Sequence, residues 1–315
     1  MTKLKTQEKL LKEQRRKYAL KRICLDRQLY FLLIPFLLYY LLFVFRPMGS
    51  MIIAFKDYSV FKGVADSPWV GMKHFISFFS GEYAARTIKN TIVISSYILL
   101  IGFPLPIVFA LLLNEVTVKR FKSAVQTLTY LPYFISIVVI AGIIVSFLAP
   151  SGLINMIITK LGGESIYFLT QAKYFRAIYI ITCIWTSIGY NSIVYLAALS
   201  GIDQELYEAC VIDGGGRWKQ ALHITIPGIL PTIVTLFIIQ IGNIMNVGYE
   251  LIILLYQPAT YETADVISTY VYRMGIEQTN YSLSTAVGIF NSLIGFALVA
   301  MANAISNKVN DMGLW

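Results

Sequence analysis

What most constrains this chain is a repetition of long apolar runs. Residues at about 29–45, 91–113, 124–148, 174–200, 228–256 and 283–305 are mostly hydrophobic, and an α-helix needs roughly 20 such residues to cross the roughly 30 Å of hydrocarbon in a bilayer. Six membrane spans are predicted. The first run is the shortest, at 17 residues, and the fifth carries Asn243, Asn246 and Glu250. Inside hydrocarbon every backbone N–H and C=O needs a partner within the protein, which leaves helices and closed barrels. No alternating ten-residue pattern marks barrel strands, so the expected fold class is an all-α membrane protein of six transmembrane helices. Composition agrees: 57% of the residues are hydrophobic and 14% are charged, where soluble domains carry about a quarter charged. Pro35, Pro104, Pro106, Pro132 and Pro231 lie in or near the runs and predict kinked or interrupted helices, because proline removes a ladder donor.

Lys and Arg are unevenly placed. The first 27 residues hold 10 of them, and the 119–122 and 201–227 loops and the C-terminal tail bring that side to 16, against 10 over the longer loops 46–90, 149–176 and 257–282. The positive-inside rule therefore puts both termini in the cytoplasm. The net charge of +9 is largely this topology signal. A basic tail over 1–27 is expected to lie along anionic lipid headgroups rather than on nucleic acid, with the transmembrane domain at 28–315. Cys24, Cys183 and Cys210 then fall on the cytoplasmic tail, in a span and on a cytoplasmic loop, where thiols stay reduced. A long charged segment precedes the first apolar run, so that run reads as a retained anchor rather than a cleaved signal.

Several chemistries are absent from the sequence. The only histidines are His74 and His223, on opposite sides of the expected membrane, which is no metalloprotease pattern. There is no P-loop: Gly214, Gly215 and Gly216 are followed by Arg217 and Trp218. Neither a GxSxG elbow nor a Cys-x-x-Cys occurs, so no enzyme activity is expected of the chain.

The segment EACVIDGGGRWKQALHITIPGILP, residues 208–231, sits between two apolar runs. Asp203 is placed to cap a short helix, Glu205 and Glu208 suit its positive end, and Gly214 or Gly215 offers a left-handed stop. Leu206, Tyr207, Cys210 and Val211 fall on one arc of that helix, and RWKQALHITIP is expected to form a second short helix at an angle. The segment then serves either as a peg for a partner's groove or as a linker lying against the bundle.

Glu208-Ala209-Cys210, Gly214, Ile224 and Pro227 resemble the E-A-A-x3-G-x9-I-x-L-P loop of ABC importer permeases, with Cys210 and Ile226 departing mildly. WVGMKHFISFF at 69–79 and RTIKNTIVIS at 86–95 are similar to segments of sugar permeases of this type, and the last third resembles their oligosaccharide and polysaccharide (LplB-type) branch. The resemblance spans about 46–310. It implies a MetI-like type I importer bundle in which Glu208, Ala209, Cys210, Asp213 and Gly214 form a coupling helix seated on a cytoplasmic ATPase. Implied partners are a homologous second permease, two ABC ATPases and an external sugar-binding protein, with ATP and Mg2+ held by the ATPases and no cofactor on this chain. Gly248-Tyr249-Glu250-Leu251 and Gln257 depart from that branch and leave the sugar open.

A hydroxyl-rich glycan is served by amides, carboxylates and aromatic faces. On a helical wheel Asn243, Asn246, Tyr249 and Glu250 form one polar stripe of the fifth run, which Trp185, Tyr190 and Asn191 of the fourth and Asn291 of the sixth are expected to face. An ionisable group at membrane depth points to function. Membrane asparagines also serve as packing glue, and Tyr or Trp near span ends as interfacial belts. The loops 46–90 and 257–282 are expected to offer a platform for the binding protein or a solvated cap. The alternatives are a permease for peptide or phosphate, or a membrane sensor or assembly protein that keeps the fold.

Overall fold

The computed structural model describes residues 25–310; the basic tail up to Cys24 lies outside the described residues. The described chain is helical, with an isolated Lys56–Trp69 bridge as its extended pairing. In chain order the elements that matter are α1 (Arg27–Phe55), α2 (Lys73–Ser80), α3 (Glu82–Glu115), α4 (Lys119–Tyr130), α5 (Ile137–Leu148), α6 (Leu153–Lys160), α7 (Ala172–Ser200), α8 (Gln204–Ile212), α9 (Arg217–Gly242), α10 (Tyr249–Leu255), α11 (Ile267–Tyr272) and α12 (Tyr281–Asn310). Six helical segments among the described residues are long and apolar enough to cross a bilayer: α1, α3, α5 with α6, α7, α9 and α12.

Three expected spans shift. The first run extends to Phe55, well past its apolar stretch. The third is interrupted, because Leu131–Phe134 tightens into a 3-10 turn at Pro132 before α5 begins. The fifth stops at Gly242, and 243–248 carries no helix before α10.

The prolines act through a common device. Widened π turns cover Tyr40–Phe45, Ile98–Gly102 and Ala221–Thr225, directly ahead of Pro47, Pro104 and Pro227. A proline ring collides with the carbonyl four residues earlier, and an extra residue per turn moves that carbonyl aside without ending the helix. These three spans therefore stay continuous.

Helix α7 is the central post. Phe175 and Tyr179 at one end pack with Ile94, Leu251, Ile252 and Val266, and Tyr195 and Leu199 at the other pack with Ala110 and Ile229. Midway, Gly189 lies against the backbone carbonyl of Thr129 so closely that no Cβ fits, which is how α4 crosses α7. By contrast α1 is exposed over residues 25–52 and meets the bundle through its last turns, against α12. A helix apolar on every side and uncovered by its own chain faces lipid or another subunit.

Hydrogen bonds define the two ends. At one, the Tyr58 N–H donates to Ser282 Oγ at 3.0 Å, and that hydroxyl donates to Lys56 O at 2.7 Å. This ties 56–81 to the start of α12. At the other end α8 projects beside the end of α3, where Arg217 and Glu115 lie 3.7 Å apart. That pair is exposed and contributes little.

Candidate functional site

The interruption of the fifth span is built rather than frayed. An unwound stretch at membrane depth must have its carbonyls satisfied by other elements, and four consecutive or near-consecutive ones are. Ser95 Oγ of α3 donates to Ile244 O. Asn291 Nδ2 of α12 donates to Met245 O at 3.2 Å, Ser268 Oγ of α11 to Val247 O at 2.7 Å, and Tyr179 OH of α7 to Gly248 O at 3.2 Å. Asn291 also donates to Asn246 Oδ1 at 3.1 Å. The helix ends where it does because Asn243 turns its amide back to Ile239 O at 3.3 Å. Gly242 also meets Val299 of α12 with no space for a Cβ.

The break changes the expected polar stripe. Asn243, Asn246, Tyr249 and Glu250 do not share one helix, so the wheel that aligned them does not apply beyond Gly242; all four are exposed. Asn243 and Asn246 line a recess of about 100 Å³ with Ser95, Gln240 and Gly248. Tyr190 and Asn191 line a larger one of about 200 Å³ with Ser187, Tyr195 and Gln240. Gln240 belongs to both. The Tyr190 ring lies parallel to Tyr133 at 3.7 Å between centroids, which presents an aromatic wall from α7 and the 131–134 turn. Asn291 is buried beneath the break, with its Oδ1 unpartnered among the described residues. Tyr249 stacks on Tyr272 at 5.6 Å and Glu250 lies in the first turn of α10; neither lines either of these two recesses, and nor does Trp185, 41% exposed. Gln240, Ser187, Ser95 and Tyr133 did not figure in the sequence reading. Gln240 has a legible signal, being an amide within a run that is otherwise apolar from Ile229 to Gly242 apart from two threonines.

The glycine segment has a specific geometry. Asp203 Oδ1 accepts from the Glu205 N–H at 3.0 Å and caps α8. At its C-terminus Gly214 adopts φ +72°, its N–H donates to Val211 O at 3.0 Å, and the Gly215 N–H donates to Cys210 O at 2.7 Å. This is a Schellman closure, which needs a residue at ease in the left-handed region. Gly215 leaves no space for a Cβ beside Cys210 Sγ. The residues expected to form a second short helix are helical but not a separate element: Arg217 starts α9, which runs through its π turn to Gly242. Tyr207 and Cys210 are half-buried, and Tyr207 OH meets Thr225 Oγ1 of α9 at 3.1 Å. Leu206 and Val211, expected on the same arc, point away at 53% and 60% exposure. Glu208, Ala209, Asp213 and Gly214 are exposed as well.

At the opposite end sits a cluster that the sequence reading missed. Asp265 is fully buried and accepts from Arg273 Nη2 at 2.8 Å and Nη1 at 3.2 Å, from Arg86 Nη2 at 3.0 Å and from Thr269 Oγ1 at 2.9 Å. Asn90 Nδ2 donates to Asp265 O and Glu262 O at 2.9 and 3.0 Å, and Arg176 Nη2 donates to Asn90 Oδ1 at 2.8 Å. The carboxylate thereby joins α3 to the 257–281 segment, and Asn90, on the backbone carbonyls of Glu262 and Asp265, brings in Arg176 of α7.

Comparison with known proteins accounts for these features together. Residues 102–311 match the family described as binding-protein-dependent transport system inner membrane component. The chain is 42% identical over 307 residues to the polygalacturonan/rhamnogalacturonan transport system permease protein YteP of Bacillus subtilis (strain 168), covering 97% of this chain and 96% of that one. It is 44% identical over 298 residues to protein LplB of the same organism, covering 94% and 93%. A chain in the crystal structure of a bacterial alginate ABC transporter, in complex with an alginate pentasaccharide-bound periplasmic protein, superposes with a TM-score of 0.87 at 46% identity, covering 93% of this chain and 99% of that one. With six apolar helices, an unwound span and a match over two thirds of its length, the chain belongs to the inner membrane components of binding-protein-dependent transport systems.

Proposed function

We propose that this chain is one of two permease subunits of an ATP-driven importer of oligosaccharides or polysaccharide fragments and forms half of the path. The observation that carries the reading is the unwound 243–248 segment, flanked by recesses lined with amides, hydroxyls and tyrosines. Discontinuous helices near the bilayer midplane are where transporters place their substrate sites, and amides with aromatic faces suit sugar hydroxyls and ring faces. The relatives named for polygalacturonan, rhamnogalacturonan and alginate support a glycan over peptide or phosphate.

In this reading both termini and α8 are cytoplasmic, and 56–81 with 257–281 faces the binding protein. Two ABC ATPases hold the ATP, and a homologous permease supplies the other half of the path. Glu208, Ala209, Cys210, Asp213 and Gly214 form the helix and bend on which an ATPase seats. Helix α9 links the two sites: its 26 residues span about 39 Å at 1.5 Å per residue, from the glycine bend beside α8 to the unwound segment. A stroke at α8 therefore reaches the recesses through one stiff element. Each conformational step is a population shift driven by binding outside and nucleotide inside.

The test is uptake of labelled oligosaccharides by the complete transporter in proteoliposomes. Replacing Gln240 by leucine keeps the volume and removes the amide shared by both recesses. Loss of one or two hydrogen bonds is expected to raise the half-saturation for sugar about tenfold, with the thermal midpoint unchanged. Unaltered sugar uptake in Gln240→Leu, or in vesicles lacking this chain, contradicts the proposal.

A further inference from the structure

Besides the two recesses at the break, a third of about 370 Å³ opens between the first turns of α3 and α7, lined by Arg86, Lys89, Asn90, Arg176 and Glu262 among others. Three cations face one carboxylate there. Asp265 behind it offsets little of the excess, since Arg273 already occupies both of its oxygens and Arg86 shares one. Arg176 donates to a neutral amide oxygen, Asn90 Oδ1. Lys89 is exposed and makes neither hydrogen bond nor ion pair among the described residues. With Lys89 as a free ammonium beside the two part-exposed guanidinium groups, the recess carries more cation than carboxylate and is complementary to an anion with two acceptor oxygens.

We propose that this recess binds the carboxylate of an acidic sugar unit at the outer mouth of the path, so that the transported glycan carries uronate-type charge. The inference rests on the transport reading above and narrows its substrate class. The recess falls in the range of small-molecule sites, about 300–1,000 Å³, and it lies where α3 and α7 begin, at the end assigned to substrate delivery. Arg86 is held in place by Asp265 and by the Tyr83 ring 5.1 Å from its guanidinium carbon. Arg176 is held by Asn90. Both donors are thus fixed before a ligand arrives, which lowers the ordering cost of binding.

The experiment uses the assembled transporter in phosphatidylcholine nanodiscs and follows acylation of Lys89 by mass spectrometry. The probes are a galacturonate trimer and its fully methyl-esterified form. The trimer at about ten times its dissociation constant is expected to slow the labelling of Lys89 about tenfold, and the ester is expected to leave it unchanged. Arg176→Gln is expected to abolish the protection and Arg176→Lys to retain most of it. Equal protection by both probes, or none by the trimer, overturns the inference. Labelling already suppressed in phosphatidylglycerol discs and indifferent to the trimer assigns the recess to a lipid headgroup and likewise overturns it. Uptake measured on the same preparation separates the two readings: protection without any oligosaccharide uptake removes the transport reading alone, and uptake without protection removes this inference alone.

Discussion

Replacing Asp265 by alanine is expected to lower the thermal midpoint of the assembled permease by on the order of 10 °C. The carboxylate is wholly buried, while the Arg273 and Arg86 side chains are 13% and 32% exposed. Burial opposes the charge of Arg273, but hydrogen bonds and Coulomb attraction from Asp265 outweigh it and hold the pKa of Arg273 above its ordinary value. Removing the carboxylate strands a buried guanidinium, a loss of about 3–5 kcal/mol in comparable buried pairs. Asp265→Asn keeps shape and some hydrogen bonding but loses the charge, and is expected to fall between wild type and alanine. Since the Asp265 carboxylate also anchors Arg86, the alanine variant is expected to loosen α3 from the 257–281 segment at that end, while Asn90 keeps its bond to the backbone carbonyl. A melting curve indistinguishable from wild type contradicts this.

The second large effect concerns assembly. Around the bend at Gly214 the chain exposes Ile212 at 86%, Trp218 at 83%, Val211 at 60% and Leu206 at 53%. Large exposed apolar groups clustered on α8 and the first turn of α9 mark an interaction surface, and an aromatic anchor there is a typical hot spot. Trp218→Ala is expected to weaken the permease–ATPase association by about 2 kcal/mol, roughly 30-fold in dissociation constant. Stability of the permease itself is expected to stay unchanged, because Trp218 makes little contact within the chain. Titration of purified ATPase onto the solubilised permease pair reads this directly. An unaltered dissociation constant for both Trp218→Ala and Ile212→Asp moves the docking surface elsewhere.

The spans were legible because bilayer thickness dictates run length, and α8 was legible because caps and left-handed stops are local chemistry: Asp203, Gly214 and the helix between them depend only on neighbours in sequence. The unwound segment was not. Met245 and Val247 are as apolar as any helical residue, and nothing local says that Ser95, Ser268, Tyr179 and Asn291 converge on the carbonyls of 244–248. The asparagines at 243 and 246 signalled a special place but not its geometry, so Tyr249 and Glu250 were placed on a stripe that the chain does not form. The Asp265 cluster joins residues up to 179 positions apart, and periodicity carries no information about such pairing. The second helix expected after the glycines forms but merges with the fifth span, for a related reason. Pro227 reads as a boundary, yet a π turn lets α9 pass through it.

The central claim is that α8 receives force from a separate ATPase and passes it along α9 to the unwound segment. Its most direct test places a single cysteine at Ile212, with Cys24, Cys183 and Cys210 replaced by serine, and treats the complete transporter in proteoliposomes with a short maleimide–diazirine reagent, whose carbene inserts into neighbouring C–H or N–H bonds on illumination. The expected result is an adduct between this chain and the ATPase subunit whose yield changes when ATP is bound, together with loss of sugar uptake in the cross-linked fraction. Adducts to other subunits alone, or full uptake by the tethered complex, would contradict it.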